Sequence, residues 1–248
     1  MIEIVNLHKS FGRQQVLKGV NLTIPRGQIT AIIGRSGSGK SVLLKHLVAL
    51  IRPDSGQVLV DGADLGQLRG KALDRVREKF GVLFQGGALF DSMTVFENVA
   101  FPLREKTRLP EAEIAKRAIQ RLEAVGLADI GQKYPAEVSG GMKKRVALAR
   151  ALVQDPEIIL FDEPTTGLDP ILLNSIHRLI FDAHKSFGFT AVVISHEIPE
   201  IFDIAQTVAM LHDGVIVEHG SPEAIMASAN PVVRQFITGA SDGPIRPK

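Results

Sequence analysis

Apolar residues along this chain fall into two kinds of pattern. Short continuous runs, Ile29-Thr30-Ala31-Ile32-Ile33, Ile158-Ile159-Leu160-Phe161 and Val192-Val193-Ile194, have no polar face and predict strands buried on both sides, as a parallel sheet requires. Strand-like segments near Ile2–Leu7, Leu22–Ile24, Gln57–Val60, Gly81–Phe84, Val208–Leu211 and Val215–Glu218 extend this to a mixed sheet, with Asp61-Gly62 and Asp213-Gly214 as hairpin punctuation. The second pattern is helical. Val42-Leu43-Leu44 to Leu47-Val48 reads as a helix after the first buried run, and Ile114, Ala118, Leu122 and Val125 line one face of another that Pro110 opens and Gly126 ends. The stretch from about 88 to 155 reads as a helical insertion, so the class is α/β. Residues 238–248 are rich in glycine and proline and are expected to form a flexible tail after a domain spanning 1–237.

The first buried run leads into Gly34-Arg35-Ser36-Gly37-Ser38-Gly39-Lys40-Ser41, which fits G-x-x-x-x-G-K-[ST] at every fixed position, and Val42 begins the helical pattern beyond it. Strand, loop and helix are the context this motif needs. Its glycines let successive amides point at phosphate oxygens, and a helix N-terminus adds its positive dipole end. Lys40 is placed to reach the β- and γ-phosphates, and the Ser41 hydroxyl can ligate Mg²⁺.

The second buried run ends in Asp162-Glu163. Acids at the carboxyl end of a parallel strand stand where open α/β sheets hold ligands. Asp162 suits Mg²⁺, and Glu163 suits a general base for an attacking water. Between the two motifs lies Val138-Ser139-Gly140-Gly141-Met142, followed by Lys143-Lys144-Arg145. Ser139 is an N-cap candidate, and Gly140 and Gly141 leave amides uncovered at a helix start, a second anion site. Lys143 and Lys144 also read as a solvated basic face.

Composition adds limits rather than a function. The 248 residues, 45% hydrophobic and 23% charged, suit one large domain or two lobes. A net charge of +2 gives no argument for a nucleic-acid partner. No apolar run reaches the length of a bilayer span, and the opening Met1-Ile2-Glu3-Ile4-Val5-Asn6 has no signal-peptide pattern, so a cytoplasmic location is expected. The absence of cysteine excludes disulfides and cysteine-based zinc sites.

With its glycine-rich loop, acid pair and serine–glycine–glycine run in this order, the chain resembles the ATP-binding cassette (ABC) family. The family signature is Leu-Ser-Gly-Gly-Gln, from which Val138 and Met142 depart. Other landmarks follow in sequence. Gln85 matches the Q-loop glutamine, a ligand for metal or water; Gly167-Leu168-Asp169 matches the D-loop; His196 matches the switch histidine that contacts the γ-phosphate. Phe11 stands where the family stacks an aromatic on adenine, with a core position as the competing reading. The resemblance implies a P-loop NTPase of ABC ATPase fold, with a RecA-like mixed-sheet core, an antiparallel β subdomain and an inserted helical subdomain. It implies ATP and Mg²⁺ as cofactors, and a two-fold dimer in which the signature of one copy closes the phosphate loop of the other.

Soluble ABC ATPases of DNA repair or translation usually carry coiled-coil insertions, zinc modules or fused cassettes. None occurs here, so a transporter subunit is expected. Phe84-Gln85-Gly86-Gly87-Ala88-Leu89-Phe90 and the run from Asp162 to Pro170 are similar to the ATPases of Mla-type (maintenance of lipid asymmetry) systems. That likeness implies phospholipid transport, an integral-membrane permease, a periplasmic MCE-domain lipid-binding subunit and a peripheral place on the cytoplasmic face of the inner membrane. It leaves open a small STAS-domain subunit. Ala88, Leu89 and Phe90 are a docking patch for the permease or an ordinary packing loop. The alternative substrate class is a polar solute such as an amino acid.

Overall fold

The computed structural model describes residues 1–246, in two compact units: Met1–Glu78 with the chain from Thr190 onward, and Lys79–Phe189. In the first unit, β1 (Ile2–Phe11) and β2 (Gln14–Ile24) form an antiparallel hairpin from Ile2↔Ile24 to Phe11↔Gln14. The other edge of β1 pairs with β4 (Ser55–Val60), which turns into the short β5 (Ala63–Asp64). Asp61 and Gly62 make that turn at φ +49° and +80°, both left-handed as a two-residue type I′ hairpin demands. Ile2, Ile4, Leu17, Val20, Leu22, Ile24, Val58 and Val60 give this sheet its buried face.

The same unit holds a mixed sheet. Its centre is β3 (Ile29–Ile33), buried at every position and parallel to both β8 (Thr190–Ser195) and β9 (Thr207–His212). Antiparallel β10 (Val215–Gly220) joins β9 through Asp213 and Gly214, again at positive φ (+46° and +84°). Helix α1 (Lys40–Leu47) follows the loop after β3, and α2 (Gly70–Arg77), α7 (Pro222–Met226) and α8 (Pro231–Thr238) complete the unit.

In the second unit β6 (Phe80–Leu83) runs parallel to β7 (Ile158–Asp162), with Leu83 paired to Phe161. Between them lie α3 (Val95–Lys106), α4 (Glu111–Ala124) and α5 (Gly140–Leu152); α6 (Pro170–Phe187) follows β7. A reciprocal box of Thr94 and Glu97 opens α3. Helix α4 buries Ile114, Ala118 and Leu122, and Gly126 at φ +72° ends its last turn. All three helices between the strands fall inside the expected stretch 88–155, but the compact unit is wider because it includes β6, β7 and α6.

The segment expected as a flexible tail has defined contacts. Helix α8 runs through Thr238, and the segment after it folds back: the Gln235 amide donates to the carbonyls of Ala240 (3.2 Å) and Ile245 (3.1 Å) and accepts from the Ile245 N–H (2.7 Å). A buried side-chain amide has thus supplied the partners that the glycine- and proline-rich composition gave no hint of. Pro247 and Lys248 lie outside the described residues.

Candidate functional site

Each unit gathers one group of the residues singled out by sequence. In the first, Ile33 of β3 pairs with Ser195 of β8, so Gly34 and His196 leave the carboxyl ends of adjacent parallel strands side by side. A Cβ on Gly34 would lie 2.2 Å from the Leu211 carbonyl oxygen, so only glycine can begin the loop. Gly37 has φ +76° with open space where a side chain would stand, leaving Ser36 and Gly37 exposed at the crest. Gly39 is the N-cap of α1 and has no side chain with which to cap it. Lys40, only 4% exposed, donates from Nζ to the carbonyls of Gly34 (2.7 Å) and Arg35 (2.8 Å), across the mouth of the loop. Ser41 and Val42, both half-buried, follow it in the first turn, and the buried Ser38 Oγ has no hydrogen-bond partner. Beyond β8, Ser195 Oγ accepts from the Glu197 N–H (3.0 Å), a tight turn that leaves His196 exposed.

Phe11, at the end of β1, is 50% exposed, with Lys9 Nζ 5.5 Å from its ring centre. That exposure removes the core reading.

In the second unit Asp162 closes β7 and is buried, whereas Glu163 is half-buried and takes φ +48°. A left-handed non-glycine residue stores strain of roughly 1–3 kcal/mol, and such residues cluster at functional sites. Glu163 Oε2 accepts from Gln85 Nε2 (3.2 Å) and from Thr166 Oγ1 (3.1 Å). The Leu83↔Phe161 register brings Gln85 and Glu163 to one strand end.

Ser139 caps α5 as expected, its Oγ accepting from the Met142 N–H (3.3 Å). A Cβ on Gly140 would meet nothing within 4 Å, and one on Gly141 only Leu172 at an ordinary 3.6 Å. Among the described residues nothing therefore demands glycine at either position. Asp169 has a role that its motif did not reveal: its Oδ1 caps α6, accepting from the amides of Ile171 (3.0 Å) and Leu172 (3.1 Å).

Sequence reasoning also missed the supports of the loop after Gln85. Arg150 donates to the carbonyls of Gly87 (2.6 Å) and Ala88 (2.9 Å), and burial pulls its guanidinium below the usual arginine range. Asn98, fully buried in α3, accepts from the Phe90 N–H (2.8 Å) and donates to the carbonyls of Phe90, Met93 and Thr94. Held this way, Phe90 is 42% exposed and Leu89 half-buried, with the Phe90 ring 4.9 Å from that of Phe101. Phe84, Phe90 and Phe101 line a cavity of about 380 Å³. A polar residue within a helical run gives no sequence signal of such a clamp.

A glycine-rich loop from buried strand to helix, with its lysine drawn over the mouth, together with an acid pair closing a second parallel strand, defines a P-loop nucleotide-binding protein. The ABC transporter family profile matches residues 17–166, and this chain belongs to that family, as an ATP-hydrolysing ATP-binding subunit. It is 45% identical over 244 residues to the probable ribonucleotide transport ATP-binding protein mkl of Mycobacterium tuberculosis (strain ATCC 25618 / H37Rv), covering 98% of this chain and 68% of the relative. It is 43% identical over 245 residues to the intermembrane phospholipid transport system ATP-binding protein MlaF of Escherichia coli (strain K12), covering 99% and 91%. Among solved structures it is similar to the ATP-binding cassette MJ0796, a dimer in a post-hydrolysis state bound to ADP and Pi, with TM-score 0.81, 34% identity, and coverage of 90% of this chain and 99% of that one.

Proposed function

We propose that this chain energises phospholipid transport as the ATPase subunit of an Mla-type system. The observation that carries the reading is the match to MlaF, which runs nearly end to end in both chains, whereas the match to mkl leaves about a third of that relative uncovered. The exposed, clamped Phe90 beside a cavity that Phe84 and Phe101 also line supports a permease contact.

The proposed roles follow from the chemistry of each group. The amides of residues 34–42 cradle the phosphates, and Lys40 exchanges its two carbonyl partners for phosphate oxygens. The partnerless Ser38 Oγ fits a loop completed by an anion. Phe11 offers an exposed ring to adenine. The family resemblance assigns Ser41, Gln85 and Asp162 as the oxygen donors for Mg²⁺, a hard cation that takes few protein ligands alongside phosphate oxygens. When bound, Mg²⁺ supplies charge neutralisation to the phosphates. Glu163, oriented by Gln85 and Thr166, accepts the proton of the attacking water, and His196 contacts the γ-phosphate. Ser139, Gly140 and Gly141 close the phosphate loop of a second copy, and the D-loop around Asp169 passes between copies.

The partners implied are a second copy of this chain, an integral-membrane permease and a periplasmic MCE-domain subunit, with a STAS-domain subunit left open and this chain peripheral on the cytoplasmic face of the inner membrane. Among the described residues no helix is long and apolar enough to cross a membrane. A native pull-down of the chain, with the permease and bound small molecules identified by mass spectrometry, tests the reading. Co-purified phospholipid with an MCE-domain protein is expected; a solute-binding protein with a polar ligand, or a complex stimulated by ribonucleotides other than ATP, would replace it.

A further inference from the structure

The segment after α8 reaches the phosphate loop. Arg35 Nη1 donates to the Arg246 carbonyl (2.7 Å), while the Arg35 main-chain carbonyl accepts both Lys40 Nζ (2.8 Å) and the Ser38 N–H (3.2 Å). One residue therefore joins the phosphate-binding lysine to a segment about 210 positions away. That segment is fastened one residue before Arg246: Ile245 is 9% exposed, and its N–H and carbonyl both bond to the side chain of Gln235, itself 8% exposed. Gly243 passes so close that a Cβ would lie 2.4 Å from the Gln235 side chain. Glycine is needed there for a close approach, which argues for a fitted path. A cavity of about 360 Å³ lined by Arg35, Phe236 and Ile245 lies alongside.

We propose that residues 240–246 form a strap that holds Arg35, and through it the phosphate loop, in the shape that receives nucleotide, with Gln235 as the positioning residue that fastens the strap. A bond from a charged donor is stronger than a neutral one, and fixing Arg35 beforehand lowers the ordering cost when phosphates replace the carbonyls around Lys40. The strap acts on affinity. Its bonds run to Arg35 and Gln235, which neither take the water's proton nor orient the group that does, so the effect expected is on binding and not on turnover of bound ATP.

The test is a cycle of variants in the full chain, measured by fluorescent ATP-analogue binding with Mg²⁺ and by steady-state hydrolysis. Removal of residues 240–248, and separately Gln235→Leu, should each raise Kd and KM about 3- to 10-fold, the size of one ordinary net hydrogen bond, because the strap acts on the loop through Arg35 and not on the phosphates themselves. The kcat should stay within about two-fold, the pattern of lost ground-state binding. Arg35→Ala should weaken binding by itself, and removing 240–248 from that variant should add nothing further. Arg35→Lys, which keeps a donor for the carbonyl, should retain part of the strap's effect. Melting midpoints identify any variant that fails to fold, and the truncation and Gln235→Leu then serve as each other's replacement. Unchanged Kd after truncation, losses that multiply in the double variant, or a fall in kcat with KM constant would each overturn the proposal. A strap effect that appears only at protein concentrations where dimers form would also overturn it, because the contact would then belong to a second copy.

Discussion

Asn98→Leu should loosen the loop that presents Phe90, at a cost set by four hydrogen bonds. The buried amide accepts from the Phe90 N–H and donates to the carbonyls of Phe90, Met93 and Thr94. Two of those carbonyls keep another donor, since Phe90 O also accepts from the Met93 N–H and Thr94 O from the Asn98 N–H. The expensive losses are the Phe90 N–H and the Met93 carbonyl. An orphaned buried group costs about 1–3 kcal/mol and each net bond about 0.5–1.5 kcal/mol, so a total of about 2–4 kcal/mol follows once water reaches part of the loop. For a chain of this size that is a fall in Tm of about 5–10 °C. Hydrogen exchange locates the damage: the Phe90 amide should lose protection while the amides of β7 keep theirs. Asn98→Asp, which sets a carboxylate oxygen against the carbonyls of Phe90, Met93 and Thr94 in a buried site, should cost at least as much as leucine at neutral pH. A Tm within about 1 °C of wild type, with the Phe90 amide still protected, would refute the clamp.

Glu163→Gln should bind ATP normally and hydrolyse it about 10²–10⁴-fold more slowly, since an amide cannot accept the water's proton; wild-type turnover would remove Glu163 as the base. Phe90→Asp should lower Tm only by the few degrees that its ring contact with Phe101 is worth, about 0.5–1.5 kcal/mol, while abolishing permease capture in a pull-down. Undiminished capture would refute the docking role. Ser139→Arg and Lys40→Ala subunits should each be inactive and should recover hydrolysis when mixed, because one of the two sites in a mixed dimer is intact. No recovery in a dimer whose mixed composition is confirmed by cross-linking would count against closure by a second copy.

The phosphate loop was legible because its glycines, lysine and serine must occur at fixed spacing between a buried strand and a helix, and Ile29–Ile33 and α1 fall where that spacing put them. Hairpins at Asp61-Gly62 and Asp213-Gly214 were legible for a similar reason, as both residues of each pair carry positive φ. Pairings that no such fixed spacing marks were not. Strand β1 continues to Phe11 because Ser10 and Phe11 find partners in Gln15 and Gln14, contacts that no local propensity announces. The Asn98 clamp and the Gln235 bracket both depend on buried side-chain amides meeting loop backbone four to ten residues away, while their own helices look ordinary in sequence. Exposure at Phe11 and Phe90, which separates display from packing, also had to come from the fold.

The most direct test of the account is ATP-driven lipid movement by the reconstituted complex. The chain and its co-purified permease would be placed in liposomes and supplied with Mg-ATP, and a fluorescent phospholipid followed to or from a lipid-binding acceptor. The account predicts transfer that requires ATP, stops with Glu163→Gln and fails with Phe90→Asp. ATP hydrolysis that is indifferent to phospholipid, with no transfer by a complex shown to be assembled, would contradict it.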